Sequence, residues 1–170
     1  MSGIANPRST FRSDDVDVCI SCRFDEAVDA SVALQRQLQE KGLTVFVGNS
    51  AEGIMHALNA YKLTVVMGTA SYGMETGAQF GTCQELRYIV SKHKPFFLVK
   101  MCHAFVASST ARVLSNTSMQ SFFWVPEERA ASAIVPPGLV DGIMEAFNVS
   151  ALSPLHTHRQ VNKAQTHSHS

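Results

Sequence analysis

An α/β fold is expected for this chain, with a parallel sheet covered by helices on both faces. Three observations predict it. Short, continuously apolar runs recur along the sequence, as strands buried on both faces require. Amphipathic segments with helical spacing separate them. The alternation of the two is that of a layered α/β domain. With five strands in about 135 residues, the expected architecture is a flavodoxin-like three-layer sandwich. Its strand order would be 2-1-3-4-5.

The first strand lies within Asp14–Arg23, with Val16, Val18, Cys19 and Ile20 as its apolar run. Asp25 is placed to cap the helix that follows, since its side chain can accept free N–H groups. Ala27, Ala30, Leu34 and Leu38 form that helix's buried stripe, and Gly42 stops it. Thr44–Val47 is the second strand. A short polar loop, Gly48 to Gly53, leads to a short helix over Glu52–Ala60. Leu63–Met67 is the third strand, followed by a glycine-rich loop from Gly68 to Gly81. A helix then runs to about His93, with Cys83, Leu86 and Ile89 or Val90 at helical spacing. Pro95–Val99 is the fourth strand. One short helix is expected around Ala107–Leu114, a fifth strand at Phe122–Val125, and a last helix over Pro136–Phe147. The ordered domain spans residues 14–149, between flexible arms at residues 1–13 and 150–170.

The chain has 170 residues, 45% apolar and 16% charged, so a sizeable core can be buried. Formal net charge is +0, which gives no clustered basic excess for nucleic acid. No apolar run reaches the roughly 18 residues of a membrane span. The first 13 residues lack a signal-peptide core, and a cytoplasmic location is expected. Cys19 and Cys22 form a C-x-x-C pair. On a strand, side chains three apart point to opposite faces with Cα atoms about 10 Å apart, too far for a disulfide. Free, mostly buried thiols are expected, and no metal site.

In a sheet of this order, ligands bind beyond the carboxyl ends of the strands, where strands one and three diverge. Arg23-Phe24-Asp25, Gly48-Asn49-Ser50 and Thr69-Ala70-Ser71-Tyr72 converge there. The helix carrying Glu85 enters from the same rim. Glu85 sits beside that helix's apolar stripe, and its i−4 and i+4 neighbours, Gly81 and Ile89, supply no basic partner. With Leu86, Ile89 and Val90 facing the sheet, Glu85 would stand at the cleft rim, ionised at neutral pH. Such a residue is either a solvated surface group or a functional carboxylate.

Taken together, these residues resemble a TIR domain. Asp17-Val18-Cys19-Ile20-Ser21-Cys22-Arg23 is similar to the family's D-V-F-I-S-Y-R opening strand. Gly42-Leu43-Thr44-Val45-Phe46 resembles its G-x-x-V-F second strand. Ser71-Tyr72 is similar to its S-x-x-Y after strand three, with the serine directly before the tyrosine. Cys83-Gln84-Glu85-Leu86 resembles its C-x-x-E-L or W-x-x-x-E helix start, with one residue rather than two between cysteine and glutamate. Cys22 stands where the family has tyrosine. Gly81 stands where it has tryptophan, with Phe80 one residue back, and the loop after strand two is short.

Many TIR domains cleave NAD⁺ at the nicotinamide–ribose bond, and the resemblance makes Glu85 the catalytic carboxylate. Nicotinamide carries a positive charge in NAD⁺ and leaves neutral, so no general acid is required. The ribose passes through a cation-like state that one carboxylate can stabilise. NAD⁺ is thus the expected substrate, with no separate cofactor. Arg23 would meet a phosphate or the adenine side, because its fork matches phosphate oxygens. Phe24, Tyr72 or Phe80 would stack on a ring, and Asn49 and Ser71 complete the substrate-binding set. The competing readings are local: Arg23 pairing only with Asp25 or Glu26, and the aromatics serving as core or loop packing. The resemblance also implies self-association with other TIR domains and a role in immune or cell-death signalling. The alternative function is a non-catalytic module signalling through TIR–TIR assembly.

Other motifs carry less. His156, His158, His167 and His169 lie in a polar tail with no packed element to fix them. Asn116 and Asn148 match a glycosylation acceptor without a secretory signal. The Asp14-Asp15 pair precedes its strand, and Thr69 occupies the place of a phospho-acceptor aspartate.

Overall fold

The computed structural model describes residues 16–48, 60–75, 77, 81–115, 120–125 and 134–152. Five strands line up in parallel: β1 (Val18–Cys22), β2 (Val45–Val47), β3 (Leu63–Gly68), β4 (Phe96–Lys100) and β5 (Ser121–Phe123). Their order is β2-β1-β3-β4-β5, as the sequence predicts. Every residue of β1 and of β3 is buried, which explains their largely apolar character. The helices are α1 (Phe24–Glu40), α2 (Thr82–Ser91), α3 (Ser108–Ser115) and α4 (Leu139–Leu152). The expected helix over Glu52–Ala60 lies outside the described residues, apart from helical Ala60.

The sheet divides the core into two layers. On one face Val18, Ile20 and Cys22 pack with Ala27, Ala30, Leu34 and Leu38 of α1 and with Leu139, Val140 and Ile143 of α4. On the other face Cys19 packs with Leu86 and Ile89 of α2, Leu114 of α3, Tyr61 and Tyr72. Cys19 and Cys22 therefore point to opposite faces, and all four cysteines are buried free thiols. At the amino ends of the strands, the Asp17 carboxylate accepts from the Thr44 N–H (3.0 Å) and from Lys62 Nζ (2.7 Å). One side chain thus ties the starts of three strands together.

Helix ends follow local chemistry. Gly42 terminates α1 at φ +88°, with its N–H on Gln39 O and the Leu43 N–H on Leu38 O. That is the paired closure that a glycine at C′ allows. Asp25 does not cap α1. The helix starts two residues earlier, after an extended Arg23 with no side-chain cap, and Asp25 lies within the first turn. A carboxylate there still favours the positive end of the helix. α2 stops at Ser91, two residues short of expectation, because His93 takes φ +52° and Lys94 N–H bonds Ile89 O. α4 starts three residues later than predicted. Pro136 and Pro137 form the preceding turn, and Gly138 at φ +82° is not helical. It also runs on to Leu152, past the expected boundary at 149, with Ser150 Oγ donating back to Ala146 O. β5 is an edge strand shifted one residue towards the amino end, paired through Val99↔Phe122. Among the described residues, no helix is long and apolar enough to cross a membrane.

Candidate functional site

β1 and β3 run side by side in register, Ser21 opposite Val66 and Cys22 opposite Met67. Ser21 follows Cys19 by two residues, so both face the layer that α2 covers. The start of α2 is fixed by its surroundings. Thr82 Oγ1 accepts the Gly73 N–H at 3.0 Å, and the Gln84 side chain accepts the Gly81 N–H at 3.0 Å. These bonds pin the β3–α2 loop to the helix.

Held in this way, α2 buries Thr82, Cys83, Glu85, Leu86 and Ile89. Glu85 is only 3% exposed, whereas Val90 is 41% exposed. This corrects the expected rim position. Residues 82, 85, 86 and 89 form an i, i+3, i+4, i+7 stripe as good as the purely apolar one. The helix is turned so that Glu85, not Val90, faces the sheet.

Glu85 finds a polar partner there. Ser21 Oγ donates to Glu85 Oε2 in a short hydrogen bond. Ser21 Oγ also lies 2.6 Å from the Tyr72 hydroxyl. Among the described residues no cation pairs with Glu85: the ion pairs are Arg23 with Asp25 and Glu26, Lys62 with Asp17, and Arg87 with Glu75. Burial raises the Glu85 pKa above its ordinary 4.5, and the Ser21 hydrogen bond opposes that rise. The amino end of α2 also favours the charged form.

A pH signature follows. The raised pKa means that the folded protein holds the Glu85 proton more tightly than the unfolded chain does. The stability this contributes is complete below the ordinary carboxylate value. It is lost as pH rises through the raised value. Denaturant midpoints of the parent should therefore fall across that window, relative to Glu85→Gln. Identical pH profiles for the two proteins would contradict a desolvated Glu85.

Comparisons with known proteins give the arrangement a frame. No family model matches the sequence. No curated protein matches it either. Among solved structures, the RPS4 and RRS1 TIR domain heterodimer is similar in fold, with a TM-score of 0.52 at 13% identity. The alignment covers 80% of this chain and 98% of that one. The chain has the TIR fold.

Within the TIR fold the expected site residues separate. Glu85, Tyr72 and the Arg23–Ser71 pair come together around the carboxyl ends of β1 and β3. Tyr72 is 0% exposed, so the ring expected to stack on substrate packs in the core instead. Its apolar body fills the layer and its hydroxyl meets Ser21, as buried tyrosines commonly do. Arg23 does not lie against Glu85. Its Nε reaches Asp25 Oδ1 (3.1 Å) and Glu26 Oε1 (3.4 Å), and Nη1 donates to Ser71 O (3.3 Å). Ser71 Oγ donates to Glu26 in a further short bond. Phe24 is 43% exposed beside this cluster. Asn49 and Phe80 lie outside the described residues, as does the histidine-containing tail. No group of three metal-ligating side chains occurs among the described residues.

Sequence reasoning missed Ser21. It is a hydroxyl in a strand buried on both faces, and such a group needs a partner. That need was the available signal. In the sequence Glu26 offers only a local partner for Arg23, yet from the first turn of α1 it also accepts from Ser71 in the loop after β3. Thr69, at the end of β3, has a buried Oγ1 with no hydrogen-bond partner among the described residues.

Proposed function

We propose that this TIR-fold chain is an NAD⁺ glycohydrolase that cleaves the nicotinamide–ribose bond, with Glu85 as its catalytic residue. The observation that carries the reading is a buried carboxylate with no cationic partner among the described residues, at the switch point of a doubly wound sheet. Desolvating an unpaired charge is costly, and groups kept in that condition concentrate at functional sites. The chemistry matches. Nicotinamide departs neutral, and the ribose left behind is cation-like. An anion in a site of low dielectric stabilises that cation far more than water would. Phe24 supplies an exposed ring for a base. Arg23 supplies a guanidinium for phosphate once its two carboxylates give way.

With 3% exposure, Glu85 meets a ribose only after its cover shifts. Self-association with another TIR domain is the proposed trigger. The similar structure named above is of two TIR domains in a heterodimer. The setting would be cytoplasmic signalling, in immunity or cell death. Nicotinamide release per molecule should rise with protein concentration and level off once assembly is complete. A flat specific activity across a wide dilution series, in a protein that stays monomeric, would contradict the trigger.

A second reading is favoured by specific observations. Arg23 is neutralised by Asp25 and Glu26, and Tyr72 is sealed in the core. Both suit a module that signals by TIR–TIR assembly without catalysis. A protein that assembles yet never releases nicotinamide would make that the function.

A further inference from the structure

Tyr72, Ser21 and Glu85 form a chain of three polar side chains through the layer between the sheet and α2. Tyr72 comes from the loop after β3, Ser21 from β1 and Glu85 from the first turns of α2. Each is at most 3% exposed. The direction of the bonds follows from counting protons. An ionised Glu85 only accepts, so the single Ser21 proton goes to Oε2. The 2.6 Å contact to Tyr72 must then be filled by the tyrosine's proton. Each hydroxyl donates towards the carboxylate, and each bond polarises the next.

We propose that Ser21 and Tyr72 are positioning residues, a two-hydroxyl chain that orients the Glu85 carboxyl and favours its ionised form. The described titratable groups on which the Glu85 charge acts include Cys19 and Cys22 on β1, Tyr61 before β3, and Tyr72, each neutral in its ordinary state. Burial, and behind it the Glu85 charge, raises the Tyr72 phenol, so it remains a donor at neutral pH. No cation among these neighbours holds the Glu85 charge, which leaves the hydroxyl chain and the helix end to do so. Removing a donor to a charged group weakens that form more than removing one to a neutral group.

The carboxyl titration is independent of the proposed enzyme reading; only the kinetic arm rests on it. The full chain is labelled with ¹³C at glutamate Cδ, and the Glu85 resonance is assigned by its loss in Glu85→Gln. Its midpoint is followed against pH in the parent, Tyr72→Phe and Ser21→Ala. Tyr72→Phe keeps the ring and removes the outer donor. Ser21→Ala removes the inner one. The midpoint should rise in Tyr72→Phe and rise further in Ser21→Ala. The acid limb of nicotinamide release should move the same way. Below neutral pH, kcat/KM in Ser21→Ala should be on the order of tenfold lower, recovering at alkaline pH.

An unmoved midpoint in Tyr72→Phe, or in a folded Ser21→Ala, overturns the proposal. If Ser21→Ala does not fold, the Tyr72→Phe midpoint decides alone. A midpoint that moves while no form of the protein releases nicotinamide upholds the hydroxyl chain and removes the NAD⁺ reading. Release that persists with an unmoved midpoint does the reverse.

Discussion

Gly73→Ala should destabilise the protein by about 2–5 kcal/mol. Two costs combine. Gly73 sits at φ +78°, in the left-handed region, where a side chain costs roughly 1–2 kcal/mol. A Cβ there would also stand 2.3 Å from Thr110 Oγ1 and 3.3 Å from Thr110 Cβ and Cγ2. Thr110 is fully buried on α3 and has little room to withdraw. Overpacking of this kind typically adds about 1–3 kcal/mol. In a Thr110→Ala background the nearest of these contacts disappear and most of the backbone cost remains, so Gly73→Ala should then cost less. Equilibrium denaturation of the four proteins in this cycle measures both parts. Gly73→Ala as stable as the parent would show that the loop takes another path. The effect extends beyond stability, because the Gly73 N–H holds Thr82 at the start of the Glu85 helix.

Glu85→Gln should reduce nicotinamide release by about 10²–10³ at neutral pH, the usual cost of losing one focused electrostatic contact. Glutamine keeps the shape of the side chain, and its carbonyl oxygen can still accept from Ser21. The negative charge facing the ribose is what disappears. Because Glu85 is buried, alanine is a poorer test: it would open a cavity beneath α2 and blur lost chemistry with lost packing. Glutamine also removes a desolvated charge. It should fold at least as well as the parent at neutral pH, so any loss of rate reads on chemistry.

The sheet was legible because its strands are continuous apolar runs, and because Gly42 marks the end of α1. The opposite facing of Cys19 and Cys22 followed from strand geometry alone. The orientation of α2 did not. An amphipathic reading sends the glutamate outward and the valine inward, but Glu85 and Val90 compete for one stripe. The choice is settled by Ser21, a buried hydroxyl on a strand 64 residues earlier in the chain, and only the fold brings the two together. In the sequence Arg23 reads as a cleft residue because it follows β1. Its partners at i+2 and i+3 were nearer than any ligand, and its remaining bond goes to the Ser71 carbonyl. Tyr72 lies at the switch point as expected. Its ring is apolar enough to be drawn into the core, and no local pattern distinguishes that from an exposed stacking face.

The central claim is that the buried Glu85 carboxylate is the reacting centre of an NAD⁺-cleaving TIR fold. Its most direct test is nicotinamide release from NAD⁺ by the full chain and by Glu85→Gln, at a protein concentration high enough for assembly, with both shown to be folded. The account predicts steady release by the parent and at least about a hundredfold less by the variant. Equal release by the two proteins, or none from an assembled parent, would contradict it.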